Sequence, residues 1–265
     1  SSDRAFEEEV MLSGFANAQV KGEGAGVSFD EAQETFSARY THETVALAFA
    51  ITEEAIEDNL YDRIASRYTK ALARSMSNTK QVKAVEPLIN GLPTTDGFDS
   101  GDGVSLFSTA HPTIAGTYKN TLSAQADLNE TSLEQSLIDI AAMTDERGLR
   151  IAARGVKMII PSKLQFTAER LMKSQGRTAT ADNDINAIAS MGMIPQGYRV
   201  NNYLTDDDAF YIITDVPNGM KMFNRAPLTT AMEGDFDTGN VRYKARERYS
   251  FGVSDPRGIF GVEGA

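Results

Sequence analysis

Ile51-Thr52-Glu53-Glu54-Ala55-Ile56-Glu57-Asp58 opens a stretch running to about Asn78, and in it Ile56, Leu60, Ile64, Tyr68, Leu72 and Met76 recur at every fourth position. That period draws one apolar stripe along a helix. Thr52 suits the N-cap, and Glu53 and Glu54 suit the positive end of the helix dipole. At 1.5 Å per residue the helix reaches on the order of 40 Å, long for a small domain. Just upstream the period changes. Phe36, Ala38 and Tyr40 alternate with polar neighbours, and so do Val45, Leu47, Phe49 and Ile51, so 34–51 reads as strand. The two sets differ in parity, which places a bulge or turn near Thr41 to Thr44. Residues 1 to about 52 carry little core signal. Glu7-Glu8-Glu9 precedes a short apolar patch at Val10, Met11 and Leu12, and Gly22-Glu23-Gly24-Ala25-Gly26 is a flexible turn.

Downstream of the long helix, residues 90–120 are rich in loop signals: Asp96-Gly97, Gly101-Asp102-Gly103 and His111-Pro112. A second helix starts at Thr131, where Thr131 and Glu134 fit a capping box; Leu133, Leu137, Ile140 and Ala141 form its buried face, and Gly148 its stop. Val156 to Ile160 reads as a buried strand ended by Pro161, and Ser162 caps a third helix with Leu164, Ala168, Leu171 and Met172 inward, stopping near Gly176. Strands are expected at Tyr198 to Leu204, Phe210 to Thr214, Met220 to Phe223 and Val241 to Val253, with Asp206-Asp207-Asp208 as a turn. The fold class is α+β.

The 265 residues suffice for one large domain or two smaller packed ones. No apolar run approaches the roughly 18 residues of a membrane span, so the chain reads as a soluble globular protein. Lys plus Arg number 26 against 37 Asp plus Glu, a net charge of −11 that repels phosphates unless a local basic patch overrides it. The one dense basic stretch is Arg242, Lys244, Arg246 and Arg248, alternating along a strand and interrupted by Glu247. It fits a solvated strand face, intersubunit ion pairs or DNA contact.

Cysteine is absent, which excludes disulfides, thiolate metal sites and thiol catalysis. The two histidines, His42 and His111, fall in different elements without metal-ligand spacing. Ser108 lies three residues before His111, yet the loop has no nucleophile-elbow pattern and no evident orienting acid. Asp96, Asp99 and Asp102 resemble a calcium loop only until Phe107, which stands where the closing Glu belongs. The glycines of 22–26 lack a dinucleotide-fold context, and no Walker A run occurs. No catalytic residue, cofactor or metal is expected.

The order of the pieces carries a resemblance. An extended arm leads to a glycine-tipped hairpin and the long helix. Then come Leu106-Phe107-Ser108-Thr109-Ala110-His111-Pro112, Asn120, a strand ending Ile159-Ile160-Pro161, and Tyr203-Leu204-Thr205-Asp206 before Phe210-Tyr211-Ile212. The chain closes on Arg246-Glu247-Arg248-Tyr249 and Asp255-Pro256-Arg257-Gly258. Over nearly its whole length it resembles the major head subunit of Mu-like tailed phages, a branch of the Hong-Kong-phage-type capsid fold.

The resemblance implies a structural shell subunit, not an enzyme, that self-assembles into pentamers and hexamers around double-stranded DNA without binding it specifically. It implies an N-terminal arm (1–9), an E-loop hairpin (10–51) lying across a neighbouring subunit, a spine helix with peripheral domain (52–130), an axial domain (131–234) and a peripheral strand with the C-terminus (235–265). Intersubunit contacts are expected at Phe15, Gly22, Gly24, Gly26, Phe36, Tyr40, Arg246 and Arg248, with Phe15, Phe36 and Tyr40 partly exposed on a lone subunit. Portal, scaffold, protease and decoration proteins are the further partners implied, with the virion as destination and host cytoplasm as assembly site. Some relatives crosslink a lysine to an asparagine; Lys21 is the only lysine in the hairpin and no partner is assigned. Ser1 fits either methionine excision or proteolytic maturation. An encapsulin-like nanocompartment and a hydrolase using carboxylate pairs are the alternatives, the latter without convergent spacing to support it.

Overall fold

The computed structural model describes residues 2–58, 61–92, 97–176 and 184–265, with 61–64 described as backbone. The strands are β1 (Phe6–Leu12), β2 (Glu34–Thr41), β3 (Glu43–Ile51), β4 (His111–Thr113), β5 (Gly116–Tyr118), β6 (Gly155–Ile160), β7 (Tyr198–Val200), β8 (Phe210–Thr214), β9 (Met220–Gly234), β10 (Val241–Val253) and β11 (Ile259–Val262). The helices are α1 (Glu53–Glu57), α2 (Tyr61–Asn90), α3 (Glu130–Ala141), α4 (Gln165–Lys173) and α5 (Ala187–Met191). They divide into two compact units: Ser1–Glu7, Tyr40–Ala84 and Met222–Phe251 form the first, and Glu8–Arg39, Val85–Lys221 and Gly252–Ala265 the second.

The first unit is built on the antiparallel sheet β3-β10-β9. Its register runs from Val241 opposite Ile51 to Tyr249 opposite Glu43. Because side chains alternate across a strand, β10 turns Tyr243, Ala245, Glu247 and Tyr249 one way and Arg242, Lys244 and Arg246 the other. Leu72 and Met76 of α2 pack on Ala245, Val45 and Phe49. Phe49 stacks on Tyr243 with ring centroids 4.9 Å apart and meets Tyr68 edge-on at 5.6 Å. The apolar stripe of α2 is therefore confirmed at Leu72 and Met76, while Tyr68 stays half exposed and the side chains of Leu60 and Ile64 lie outside the described residues. The helix continues past Asn78 to Asn90, because Val85 and Leu88 take up a second apolar face after the first stripe ends.

The second unit centres on the sheet β11-β8-β6-β7, parallel only between β6 and β7. Two apolar clusters cover its two faces. Phe210, Ile212, Phe260 and Val262 join Leu133, Ile140 and Met158 in one cluster, while Tyr211 and Ile259 join Val85, Leu88 and Phe107 in the other. Burial on both faces explains why these strands read as short continuous apolar runs.

Several sequence boundaries move. Helix α3 begins at Glu130, capped by Asn129, whose Oδ1 accepts from the Ser132 N–H at 2.9 Å while the Ser132 hydroxyl oxygen accepts from the Asn129 N–H at 3.0 Å. Asn caps at least as well as Thr, so the box sits two places upstream of Thr131 and Glu134. Ala141 is exposed, and the helix ends there; Gly148 belongs instead to a turn closed by the Asp145 side chain. Ser162 makes no cap bond but opens a 3-10 turn before α4. Strand β9 extends to Gly234, β7 stops at Val200, and β11 is an element the sequence patterns did not suggest.

Candidate functional site

Strands β1 and β2 pair with each other and hold the ends of a loop spanning 13–33. The loop is fastened at its base. Ser13 N–H donates to the Gln33 carbonyl at 2.8 Å, and the Ala16 N–H donates to Asp30 Oδ2 at 2.7 Å. Arg147 donates to the Glu31 carbonyl at 2.6 Å and stands 3.6 Å from Asp30 Oδ1. The Ala16 N–H, then the Glu31 N–H and the Arg147 charge, hold the Asp30 carboxyl below its usual range. Beyond this clasp every residue from Gly14 to Glu34 is exposed. The tip turns at Gly22–Ala25, where Ala25 N–H donates to the Gly22 carbonyl and Gly24 takes a φ of +76° that favours glycine.

The loop carries large apolar groups into water: Phe15 is 60% exposed, Phe29 97%, and Val20 and Val27 are exposed as well. Among the described residues nothing lies within 4 Å of a Cβ built at Gly22, Gly24 or Gly26. Phe36, on β2, is half-buried. Tyr40 differs from the expectation of partial exposure: it is 3% exposed, its ring edge-on to Phe223 at 4.8 Å, so it is a core residue of the first unit.

On β10, Arg246 is exposed and Arg248 half-buried. The register sets Ala50, Ala48 and Ala46 opposite Arg242, Lys244 and Arg246, so a cationic row runs beside a row of alanines. Glu247 does not interrupt that row. It faces the other side, buried, and accepts from Lys80 Nζ at 3.0 Å.

A buried polar knot occupies the second unit where the sequence shows only loop. His111 is fully buried; its Nδ1 lies 2.6 Å from Asp102 Oδ2 and its Nε2 2.9 Å from Asn120 Oδ1. Asn120 Oδ1 also accepts from the Ser108 N–H at 2.9 Å, while Nδ2 donates to the carbonyls of Leu106 at 2.7 Å and Pro256 at 3.1 Å. The amide is oriented by those carbonyls, so Asn120 Oδ1 meets the ring as an acceptor and His111 Nε2 donates to it. The ring stacks on Tyr118, whose other neighbour is the Arg257 guanidinium, 4.2 Å from its centroid. Burial drives the Tyr118 phenol well above its ordinary pKa. Arg257 donates to Thr144 O at 2.8 Å and Glu146 Oε1 at 2.5 Å, and to Asp255 Oδ1 at 3.3 Å.

His111 thus has an orienting acid, Asp102, contrary to the sequence expectation. Its other nitrogen faces Asn120 rather than Ser108, and the hydroxyl of Ser108 accepts from the Ala110 N–H. Such an arrangement locks loops together and presents no nucleophile to a substrate. Asp99 accepts from the Gly101 and Gly103 N–H groups, as a turn residue does; Asp96 lies outside the described residues. His42, in the first unit, bonds Ser2 and Ser250 at 2.8 and 3.0 Å, and burial, with the charge of Arg248, pushes its pKa down. Among the described residues no three acidic or imidazole groups converge on a metal position, and no helix is long and apolar enough to cross a membrane.

A family model described as phage capsid protein matches residues 34–262. Among solved structures the chain is similar to the capsid of Myoviridae phage XM1, with 13% identity and a TM-score of 0.59 over 99% of this chain and 86% of that one. It is equally similar to the capsid of an empty GTA particle, with 15% identity and a TM-score of 0.59 over 100% and 86%. A virus-like particle from Pyrococcus furiosus follows, at 13% identity and a TM-score of 0.51 over 99% and 88%. Among curated protein sequences none matches. The fold is that of tailed-phage capsids. The chain belongs to the phage capsid protein family, and it is a structural major capsid protein of the virion that assembles with copies of itself.

Proposed function

We propose that the chain builds the pentamers and hexamers of an icosahedral head of the Mu-like kind, enclosing double-stranded DNA without binding it specifically. The observation that carries this is the loop beyond its clasp: four large apolar side chains, Phe15, Val20, Val27 and Phe29, stand exposed among the described residues. Such groups mark an interaction surface, and a closed ring of identical copies supplies one for each loop. Residues 10–51 carry the E-loop hairpin, whose exposed stretch from Gly14 to Glu34 lies across a neighbouring copy, after an arm at 1–9. Residues 52–130 and 235–265 serve as spine and peripheral domain, and 131–234 as axial domain. Phe15, Phe36, the glycines of the tip, Arg246 and Arg248 are the contact candidates the surface supports. The net charge of −11 lets packaged DNA slide. The chain has no catalytic role, and it meets portal, scaffold, protease and decoration proteins in the host cytoplasm.

Shortening the loop within 20–30 tests this. Subunit circular dichroism and melting should stay near wild type while shells fail to form or fall apart in electron micrographs. A shortened chain that unfolds as a monomer refutes the assignment, and shells that enclose protein in place of DNA refute the head.

A further inference from the structure

We infer that the outer edge of β9 pairs antiparallel with the same edge of a second copy, about a twofold axis at Thr229. The inference rests on the assembly of copies but not on the loop of residues 13–33. Strand β9 ends the sheet β3-β10-β9, so β10 takes one of its edges and leaves the other open. The Ser2 N–H donates to the Asn224 carbonyl at 3.1 Å and so meets the open edge at one point. Beyond it, among the described residues, no strand pairs with that edge, and β9 is exposed from Pro227 to Gly234.

Backbone groups point to alternate sides along a strand, so the Asn224 contact fixes which residues present theirs outward. They are the even positions, Ala226, Leu228, Thr230 and Met232. Pro227 is odd, and its missing N–H removes nothing from the open edge. The stretch Ala226-Pro227-Leu228-Thr229-Thr230-Ala231-Met232 carries no charge, so the usual guard against edge pairing is absent.

Charge selects a second copy as the occupant. Arg225 and Glu233 bracket the stretch at equal distances from Thr229, and all three share one face of β9. Among the described residues neither charge is in an ion pair. Glu233 lines a cleft with Arg242 and Lys244, but Arg242 pairs with Asp235 instead. Antiparallel pairing about Thr229 sets each Arg225 opposite the copy's Glu233, so one symmetry operation meets both charges twice. The same register sets Thr229 opposite its own copy and brings the exposed Leu228 diagonally beside its own. A foreign strand would need this pattern of charges; a copy has it by symmetry.

The chain has no cysteine, so one introduced thiol reads the register. Thr229→Cys, at an exposed position, should give disulfide-linked dimers under mild oxidation, since directly opposed Cα atoms about 4.5 Å apart suit a disulfide. The sample is assembled shells, or concentrated subunits where shells are not obtained. Ala231→Cys is exposed on the same face, but its copy lies about 13 Å along the strand, so it should link at least tenfold less. Glu233→Arg should lower the yield of Thr229→Cys dimers severalfold by opposing two arginines. Adding Arg225→Glu should restore it, and since positions 225 and 233 of one strand stand about 27 Å apart, only a second copy can supply that rescue. A chain shortened within 20–30 that forms no shells yet still links through Thr229→Cys supports the edge as a contact separate from the loop. Shells that form without Thr229→Cys dimers overturn the edge pairing and leave the assembly of copies standing. Equal linking by the two thiols, or a charge-swapped pair no better than Glu233→Arg alone, also overturns it. So does a Thr229→Cys thiol shielded from maleimide without a dimer, the mark of another occupant.

Discussion

Asn120→Ala tests the polar knot most directly. The substitution strips partners from the Ser108 N–H, His111 Nε2 and the carbonyls of Leu106 and Pro256, which the amide meets at 2.9, 2.9, 2.7 and 3.1 Å. The Pro256 carbonyl keeps the Ile259 N–H as a donor, but each of the other three buried groups is orphaned at a cost of about 1–3 kcal/mol, and water admitted to the vacated space recovers part of that. The net loss should be about 3–5 kcal/mol, a large share of the roughly 5–15 kcal/mol by which domains are stable. Asn120→Asp separates shape from hydrogen bonding. It keeps Oδ1 but turns a carboxylate oxygen toward two carbonyls, and should be at least as harmful. Urea unfolding of subunits, kept below the concentration at which they assemble, reads the change as a lower midpoint at constant slope. A loss under about 1.5 kcal/mol for Asn120→Ala, or a near-wild-type Asn120→Asp, refutes the knot as a keystone of this unit.

Two further outcomes follow from single residues. Gly101 holds a φ of +103° with the Ser37 carbonyl 2.4 Å from where a Cβ would sit, so Gly101→Ala should destabilise by about 2 kcal/mol or more in the same urea assay; a neutral result removes the argument for close approach to β2. His42 has its pKa depressed by burial and the Arg248 charge, so the unfolded chain takes up the proton first as pH falls. Stability should be level above about pH 6.5 and decline below it by at most about 1.4 kcal/mol per pH unit. His42→Gln should flatten that decline in melts between pH 7 and 5.5, and an unchanged slope would rule the imidazole out as its source.

What was legible in the sequence follows its periods. The fourfold repeat that ends in Leu72 and Met76, the alternation of Val241 to Val253 and the run Phe210 to Thr214 each state one element's buried face, and each is recovered. The knot has no period. Asp102, His111, Asn120, Glu146, Asp255 and Arg257 come from separated turns, and only the folding of β4, β5 and the segment before β11 brings them together. His111-Pro112 and Asp255-Pro256-Arg257-Gly258 stand out as motifs, but nothing local says that they meet. Strand β11 escaped because four residues buried on both faces show neither alternation nor a helical repeat. The Asn129 cap was hidden by Thr131, a competing cap two residues away.

The exposed loop and the buried knot divide the energetics, and Phe29 shows how cleanly. Its side chain is 97% exposed and belongs to none of the apolar clusters among the described residues. Phe29→Ser should therefore leave subunit stability within about 0.5 kcal/mol of wild type, as surface changes do. If the ring is buried on a neighbouring copy, the same change forfeits about 1.5–3 kcal/mol at every such contact. Since 1.4 kcal/mol is tenfold in an equilibrium constant, each contact weakens by about ten- to a hundredfold. A ring repeats the loss once per copy, so the concentration at which shells appear, measured by light scattering, should rise well beyond the change at a single contact. An assembly threshold equal to wild type would remove Phe29 from the interface. A subunit destabilised by more than about 1 kcal/mol would instead place the loop inside its own fold, against the exposure seen from Gly14 to Glu34.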